Sequence, residues 1–242
     1  MTIADGLDEL RHAMPAAVDL IVQTAKWVHP DTFRALPVWY PETARGQPIY
    51  DASWSRQYVN TRQESGVTQH KVEPNIRAGK ALARALGTSK RPNWTVCHIW
   101  GVDDAKFQKP NRVVQDPRYY SCVGNMVWLP TPLKGFTDCV PEIRTMLRTC
   151  AFYLYNWSCE HPDVAAASAE IRQGKIDEGN PSAWPTAERR GLPPGVVLLN
   201  TRIQSSIAQR KAAIRKALDT SDMPYYPYDQ VRSVIAFWGI AI

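Results

Sequence analysis

The apolar positions along the chain predict helices toward both ends and a strand-bearing middle. In residues 3–26, Ile3, Leu7, Leu10, Met14, Val18, Leu20, Ile21 and Val22 recur at helical spacing. Pro15 interrupts them, which predicts two short helices or one broken one. Residues 27–50 show no period. They are crowded with rings and prolines (Trp27, Pro30, Phe33, Pro37, Trp39, Tyr40, Pro41, Pro48, Tyr50), and Trp54 and Tyr58 continue the run. This reads as an ordered irregular segment pinned by aromatics. Residues 66–73 read as a short strand or extended arm. From Pro74 to Gly87 a proline near the first turn and a terminal glycine frame a helix. Ala78, Leu82, Ala85 and Leu86 form its apolar stripe, and Arg77, Lys80 and Arg84 stack on another face.

In the middle of the chain the period changes to two. Within Trp94–Ile99, Trp94, Val96 and His98 point one way and Thr95, Cys97 and Ile99 the other, as in a strand. A long connection, residues 101–117, carries Lys106, Lys109 and Arg112 and closes with Gln115, Asp116 and Pro117. Arg118–Val123 reads as a returning strand. Asn125–Leu129 reads as the start of a short helix stopped by Pro130 and Pro132. A firm helix is expected from Pro141 to about Trp157, with Ile143, Met146, Leu147, Cys150, Ala151, Leu154 and Tyr155 inward. Residues 158–198 are rich in Ala, Gly, Pro and charge and read as a loop-heavy excursion. Asn200 or Thr201 caps a helix running to Leu218, and a last apolar helix spans Tyr228 to about Ile240.

Composition narrows the class. The 242 residues suffice for a sizeable core, and the 44 % hydrophobic and 21 % charged content describes a globular protein. The formal charge of +6 favours an anionic partner, nucleic acid being the commonest. From His70 to Pro92 six Lys/Arg face one Glu: a solvated basic face, or a face that tracks phosphates. Arg202, Arg210, Lys211, Arg215 and Lys216 make a second such face, or a plain amphipathic helix. Nine tryptophans suit a thick core or a stacking surface. The five cysteines, Cys97, Cys122, Cys139, Cys150 and Cys159, are odd in number and lack a C-x-x-C pair, so neither a disulfide framework nor a four-cysteine zinc clamp is expected. The N-terminus lacks a basic n-region, and no apolar run reaches the ~20 residues of a membrane span. A cytoplasmic location and no membrane partner are the expectations.

The candidate chemistry lies in Val96-Cys97-His98-Ile99-Trp100 and Asn125-Met126-Val127-Trp128-Leu129-Pro130. A histidine titrates near neutrality and can activate water, while an asparagine at a turn either braces a loop or supplies an oxygen ligand. With Thr131–Asp138 following, these runs resemble the HNH (His-Me finger, ββα-metal) endonucleases over residues 66 to 157. The resemblance implies His98 as general base, Asn125 as loop brace or metal ligand, Asp138 near the third position, and a divalent metal, Mg²⁺ or Mn²⁺. Cys97 stands where the family carries a metal-ligating Asp or His, and a thiolate suits Mg²⁺ poorly. Lys134 competes with Asp138 for the third position, and Asp103, Asp104 and Asp116 are other carboxylates within reach in sequence. The bland readings are a core histidine, a strand-ending Asn125, and an Asp138 that favours the helix after it.

The expectation is an α+β fold, a mainly helical domain built around a ββα-metal finger. Residues 1–65 form an N-terminal helical and aromatic segment, 66–157 the basic helix and finger, and 158–242 a loop-rich excursion with C-terminal helices on the same domain. The expected function is metal-dependent cleavage of double-stranded DNA, in restriction or defence by analogy, with a homodimer required for a palindromic cutter. Arg77, Lys80, Arg84, Lys106, Lys109, Arg112, Arg118 and Lys134 are expected against phosphates. The alternative is a nucleic-acid-binding protein with a degenerate finger that does not cut.

Overall fold

The computed structural model describes residues 3, 5–41, 58–61, 68–89, 91–102, 111–220 and 223–242. Lys106, Lys109, Asp103 and Asp104 lie outside the described residues. The described chain is mixed α and β and mostly helical. Helix α1 (Gly6–Leu10) and helix α2 (Met14–Thr24) are separated by one 3₁₀ turn. Pro15 sits in the first turn of α2, where its missing N–H costs nothing, so it starts a helix instead of breaking one. Strand β1 (Trp27–Val28) follows, then helix α3 (Pro30–Ala35), in which the His29 side chain caps the Asp31 N–H. Strands β2 (Tyr58–Thr61) and β3 (Thr68–Lys71) pair antiparallel and lead into helix α4 (Asn75–Ala85).

The central strands depart from the sequence reading. Strand β4 (Trp94–His98) pairs antiparallel with strand β5 (Met126–Pro130), in the register Val96↔Trp128, Cys97↔Val127 and His98↔Met126. The expected strand at Arg118–Val123 is instead occupied by helix α5 (Pro117–Tyr120) and a turn. Asp116 caps α5 by accepting from the Arg118 N–H at 2.8 Å, and Pro117 stands at its first position. That Asp-Pro pair is a helix-start signal. The expected helix at Asn125–Leu129 is β5. Met126 through Leu129 are all buried, and an apolar run buried on both faces carries no period to tell strand from helix. Cys97 therefore faces Val127 across the hairpin, not Cys122, and all five cysteines are free thiols.

After β5 come helix α6 (Lys134–Cys139) and helix α7 (Pro141–Tyr155). A strand–strand–helix succession is thus present at β4, β5 and α6. Helix α8 (Ala165–Arg172) lies within the expected loop-heavy excursion, and strand β6 (Val196–Val197) pairs parallel with β1. Helix α9 (Thr201–Thr220) and helix α10 (Tyr228–Trp238) follow the expected bounds closely.

Buried residues from Val18 to Val234 form one hydrophobic cluster, fed by all three sequence segments. Helix α7 runs through it, with every residue from Ile143 to Ala151 buried. The N-terminal segment is laced to β5 and the turn before it. Lys26 and Trp128 exchange backbone hydrogen bonds of 2.8 and 3.1 Å along the outer edge of β5. Val38 bridges Cys122, and the Trp39 N–H donates to Ser121 Oγ at 3.0 Å. No described helix is long and apolar enough to cross a membrane.

Candidate functional site

His98 is the last residue of β4, and the chain turns sharply after it. Four hydrogen bonds fix that turn. The Ile99 N–H donates to the Asn125 carbonyl at 3.0 Å and the Trp100 N–H to Asn125 Oδ1 at 2.8 Å. Arg148 Nε donates to the Ile99 carbonyl at 2.8 Å, and Asn111 Nδ2 donates to the Gly101 carbonyl. The Arg148 guanidinium also lies over the Trp100 ring, 4.3 Å from its centroid. Asn125 is wholly buried, and its Nδ2 donates to the Tyr119 carbonyl at 3.1 Å. Both ends of its amide are engaged by backbone. Of the two roles open to it, the geometry gives it the brace and leaves no oxygen facing a ligand.

The His98 ring is partly buried, in tilted contact with Tyr120 at 5.5 Å between centroids. Its Nε2 lies 2.8 Å from the Tyr120 carbonyl oxygen. A carbonyl only accepts, so Nε2 carries the proton and Nδ1 holds the lone pair. No described residue hydrogen-bonds Nδ1. Burial holds the imidazole pKa down to about 4, against the pull of the Tyr120 carbonyl; Lys71, Lys134 and Arg144 push the same way as burial. The ring is therefore neutral at physiological pH, in the one tautomer that leaves Nδ1 basic.

A small pocket of about 50 Å³ opens beside it, lined by His98, Cys97, Gly101, Lys71, Lys134, Asp138 and Arg144 among others. This is room for a few waters or one small oxyanion. Asp138 is brought to the pocket, as expected, but it is held between two cations. Lys134 Nζ donates to its Oδ2 and Arg144 Nη2 to its Oδ1 at 3.1 Å. Cys97 is buried, its Sγ 3.3 Å from Thr137 Oγ1, and burial pushes its thiol pKa up. Lys71 Nζ donates to Asn75 Oδ1 at 3.1 Å on the far side.

These donors do not fit Mg²⁺ or Mn²⁺. The thiol is protonated, the imidazole Nε2 is engaged, Asn125 is turned away, and the one carboxylate is shared by two cations. Among the described residues no group of three or more His, Cys, Asp or Glu converges. Asp116, a further carboxylate considered in the sequence, is taken by Arg118 at 2.6 Å.

The residues expected to meet nucleic acid divide. Arg77 and Lys80 stand on α4 with no ion pair among the described residues. Arg84 lines a groove of about 410 Å³ with Arg202 and Arg210, between α4 and α9. Arg112 is tied to Asp163 at 2.8 Å, and Arg118 packs its guanidinium 5.0 Å from the Phe237 ring. Both are occupied by structure. Arg210, on the second basic face, is buried and donates to the Trp39 carbonyl. Sequence reasoning missed Arg144 and Arg148 altogether, because they sit on the inward face of α7 where a charged residue is not expected.

No protein-family model, no curated protein and no solved structure matches this chain.

Proposed function

We propose that the protein hydrolyses phosphodiester bonds in double-stranded DNA, with His98 as general base. The observation that supports this most directly is the Tyr120 carbonyl on His98 Nε2, at 2.8 Å. It commits the ring to the tautomer in which Nδ1 takes a proton, and burial keeps it in that form at neutral pH. Water gives its proton to Nδ1 as its oxygen bonds to phosphorus. The bond from phosphorus to the leaving sugar oxygen breaks, and that oxygen takes a proton from solvent. Lys71, Lys134 and Arg144 face the pocket and offset the charge that builds on the phosphoryl oxygens. Asn125 and Arg148 keep the turn that carries His98 from shifting. Arg77 and Lys80 on α4 track the flanking phosphates.

A second reading, a finger that binds nucleic acid without cutting, is favoured by one observation: Asp138, which lines the pocket with His98, is already shared by Lys134 and Arg144.

Nicking of supercoiled plasmid by the wild type beside His98→Ala, in Mg²⁺, in Mn²⁺ and in chelator, separates the two. Cleavage lost in His98→Ala is the expected result. Salt-sensitive DNA binding with no cleavage in any condition selects the second reading, and no DNA binding at low salt removes both.

A further inference from the structure

The pocket beside His98 carries three cationic side chains, Lys71, Lys134 and Arg144, and among the described residues only Asp138 opposes them. Arg144 is unusual among the three because it is almost fully buried. Two of its nitrogens are satisfied: Nε donates to the Thr137 carbonyl at 2.8 Å, and Nη2 to Asp138 Oδ1 at 3.1 Å. The third, Nη1, is buried with no hydrogen-bond partner. A charged donor left so in the interior is costly, and such an atom calls for an explanation.

Gly101 supplies part of it. Like Arg144 it lines the pocket. A Cβ built on Gly101 would stand 3.0 Å from the His98 carbonyl oxygen, 3.4 Å from the His98 Cβ and 3.8 Å from Nη1, crowding the space between His98 and Arg144. The absent side chain leaves a gap bounded by the His98 carbonyl and Cβ on one wall and an unsatisfied guanidinium N–H on the other.

We infer that this pocket binds a phosphate oxyanion directly, through Arg144 Nη1 with Lys134 and Lys71 at its rim, and needs no divalent metal to do so. The inference deepens the hydrolytic reading and rests on the same site. It gives Arg144 the charge-neutralising position, so that the scissile phosphate enters with its oxyanion toward α7 and its phosphorus toward His98. A divalent cation placed in the same space would meet three positive side chains and a carboxylate already paired. Asp138 is then a restraint on the two cations that sets their position.

Two changes, one that removes a negative charge and one that leaves every charge in place, separate an anion site from a metal site. If the pocket takes phosphate, Asp138→Asn frees Lys134 and Arg144 and tightens phosphate binding by about 3–10-fold, because a competing carboxylate is gone. If Asp138 is a metal ligand, the same change weakens divalent binding and gives phosphate nothing. Gly101→Ala leaves every charge in place, presses on the His98 carbonyl and narrows the gap, lowering phosphate affinity by about 3–10-fold.

The measurement is calorimetric titration of the full chain with inorganic phosphate at low ionic strength in chelator. Wild type, Asp138→Asn, Gly101→Ala and Arg144→Gln are compared, with circular dichroism as the fold control. Saturable binding that Asp138→Asn tightens and Gly101→Ala weakens supports the inference. Arg144→Gln lowers affinity about 10-fold or more, and if that variant unfolds the other two still decide. Absence of saturable binding in chelator, binding that appears only with Mn²⁺, or binding indifferent to Gly101→Ala overturns it. Plasmid nicking by the same wild-type sample reports separately on the hydrolytic reading. Phosphate binding without nicking in any condition overturns hydrolysis and supports the pocket, while nicking without phosphate binding overturns the pocket alone.

Discussion

Asn125 Oδ1 accepts the Trp100 backbone N–H at 2.8 Å, joining the residue before β5 to the turn that follows His98. The same amide donates to the Tyr119 carbonyl, so one side chain ties together the two loops that contact the imidazole. Asn125→Ala leaves the buried Trp100 N–H without a partner, while the Tyr119 carbonyl keeps the Cys122 N–H at 3.3 Å. Such an orphan costs about 1–3 kcal/mol. We expect a loss of about 1–3 kcal/mol in the urea-unfolding free energy, together with weakened cleavage. A variant that matches the wild-type midpoint would remove Asn125 as the brace.

His98 gives the stability curve a definite sign. Its pKa in the folded protein is about 4, below the ordinary value of 6.5. Between those values the unfolded chain binds the extra proton, so stability falls as pH drops through the window and is fully present above it. The size is on the order of 2–3 kcal/mol by pH 4. Urea midpoints taken from pH 7 to 4.5 should fall more steeply for the wild type than for His98→Gln. Parallel curves would show that the imidazole is not held neutral. The same tautomer and charge state predict a cleavage rate that is flat from pH 6 to 8, with His98→Ala lowering it by about 10²–10⁴-fold.

The basic residues should separate by a salt titration. Arg77→Ala and Lys80→Ala, on α4, should each weaken DNA binding and lower the slope of log affinity against log salt by about 1. Arg112→Ala should leave that slope alone, since its guanidinium is engaged by Asp163. Its stability effect should be small, as for other exposed ion pairs. A slope unchanged in all three variants would place the DNA face elsewhere.

Thiol chemistry checks the hairpin register. Cys97, Cys122, Cys150 and Cys159 are buried and only Cys139 is exposed. Burial pushes the Cys159 thiol pKa up to about 12 and raises those of Cys97, Cys122 and Cys150 as well. Ellman's reagent should titrate one thiol in the native protein and five in denaturant. A fast native reaction at Cys97 would contradict the packing of β4 against β5.

Much of the helical frame was legible from the apolar period, because α4, α9 and α10 each show one face to the core and another to solvent, and α7, though buried nearly all round, keeps its apolar residues at helical spacing. His98 at the end of its strand was legible for the same reason. The failures have a common cause. Met126–Leu129 is buried on both faces, so its side chains carry no alternation, and the strand looked like a helix. Asp116-Pro117 announces a helix, but the apolar run after it looked like a strand. Arg144 and Arg148 escaped notice because periodicity assigns arginine to the surface. What brings them inside is a set of carbonyls and an acid from other elements: Thr137 and Asp138 on α6 for Arg144, and Ile99 after β4 for Arg148. No local pattern encodes those partners.

The exchange of backbone hydrogen bonds between Lys26 and Trp128 bears on how the finger can be handled in isolation. Residues 66–157 hold the whole resemblance to a nuclease finger, yet the outer edge of β5 is covered by a stretch forty residues upstream of that segment. A fragment starting at residue 66 would present Trp128 and its neighbours as an open, apolar strand edge, a template for pairing with another copy. Excised, the finger should self-associate. The N-terminal segment thus acts as an edge guard, and the unit that can be moved or grafted intact includes it.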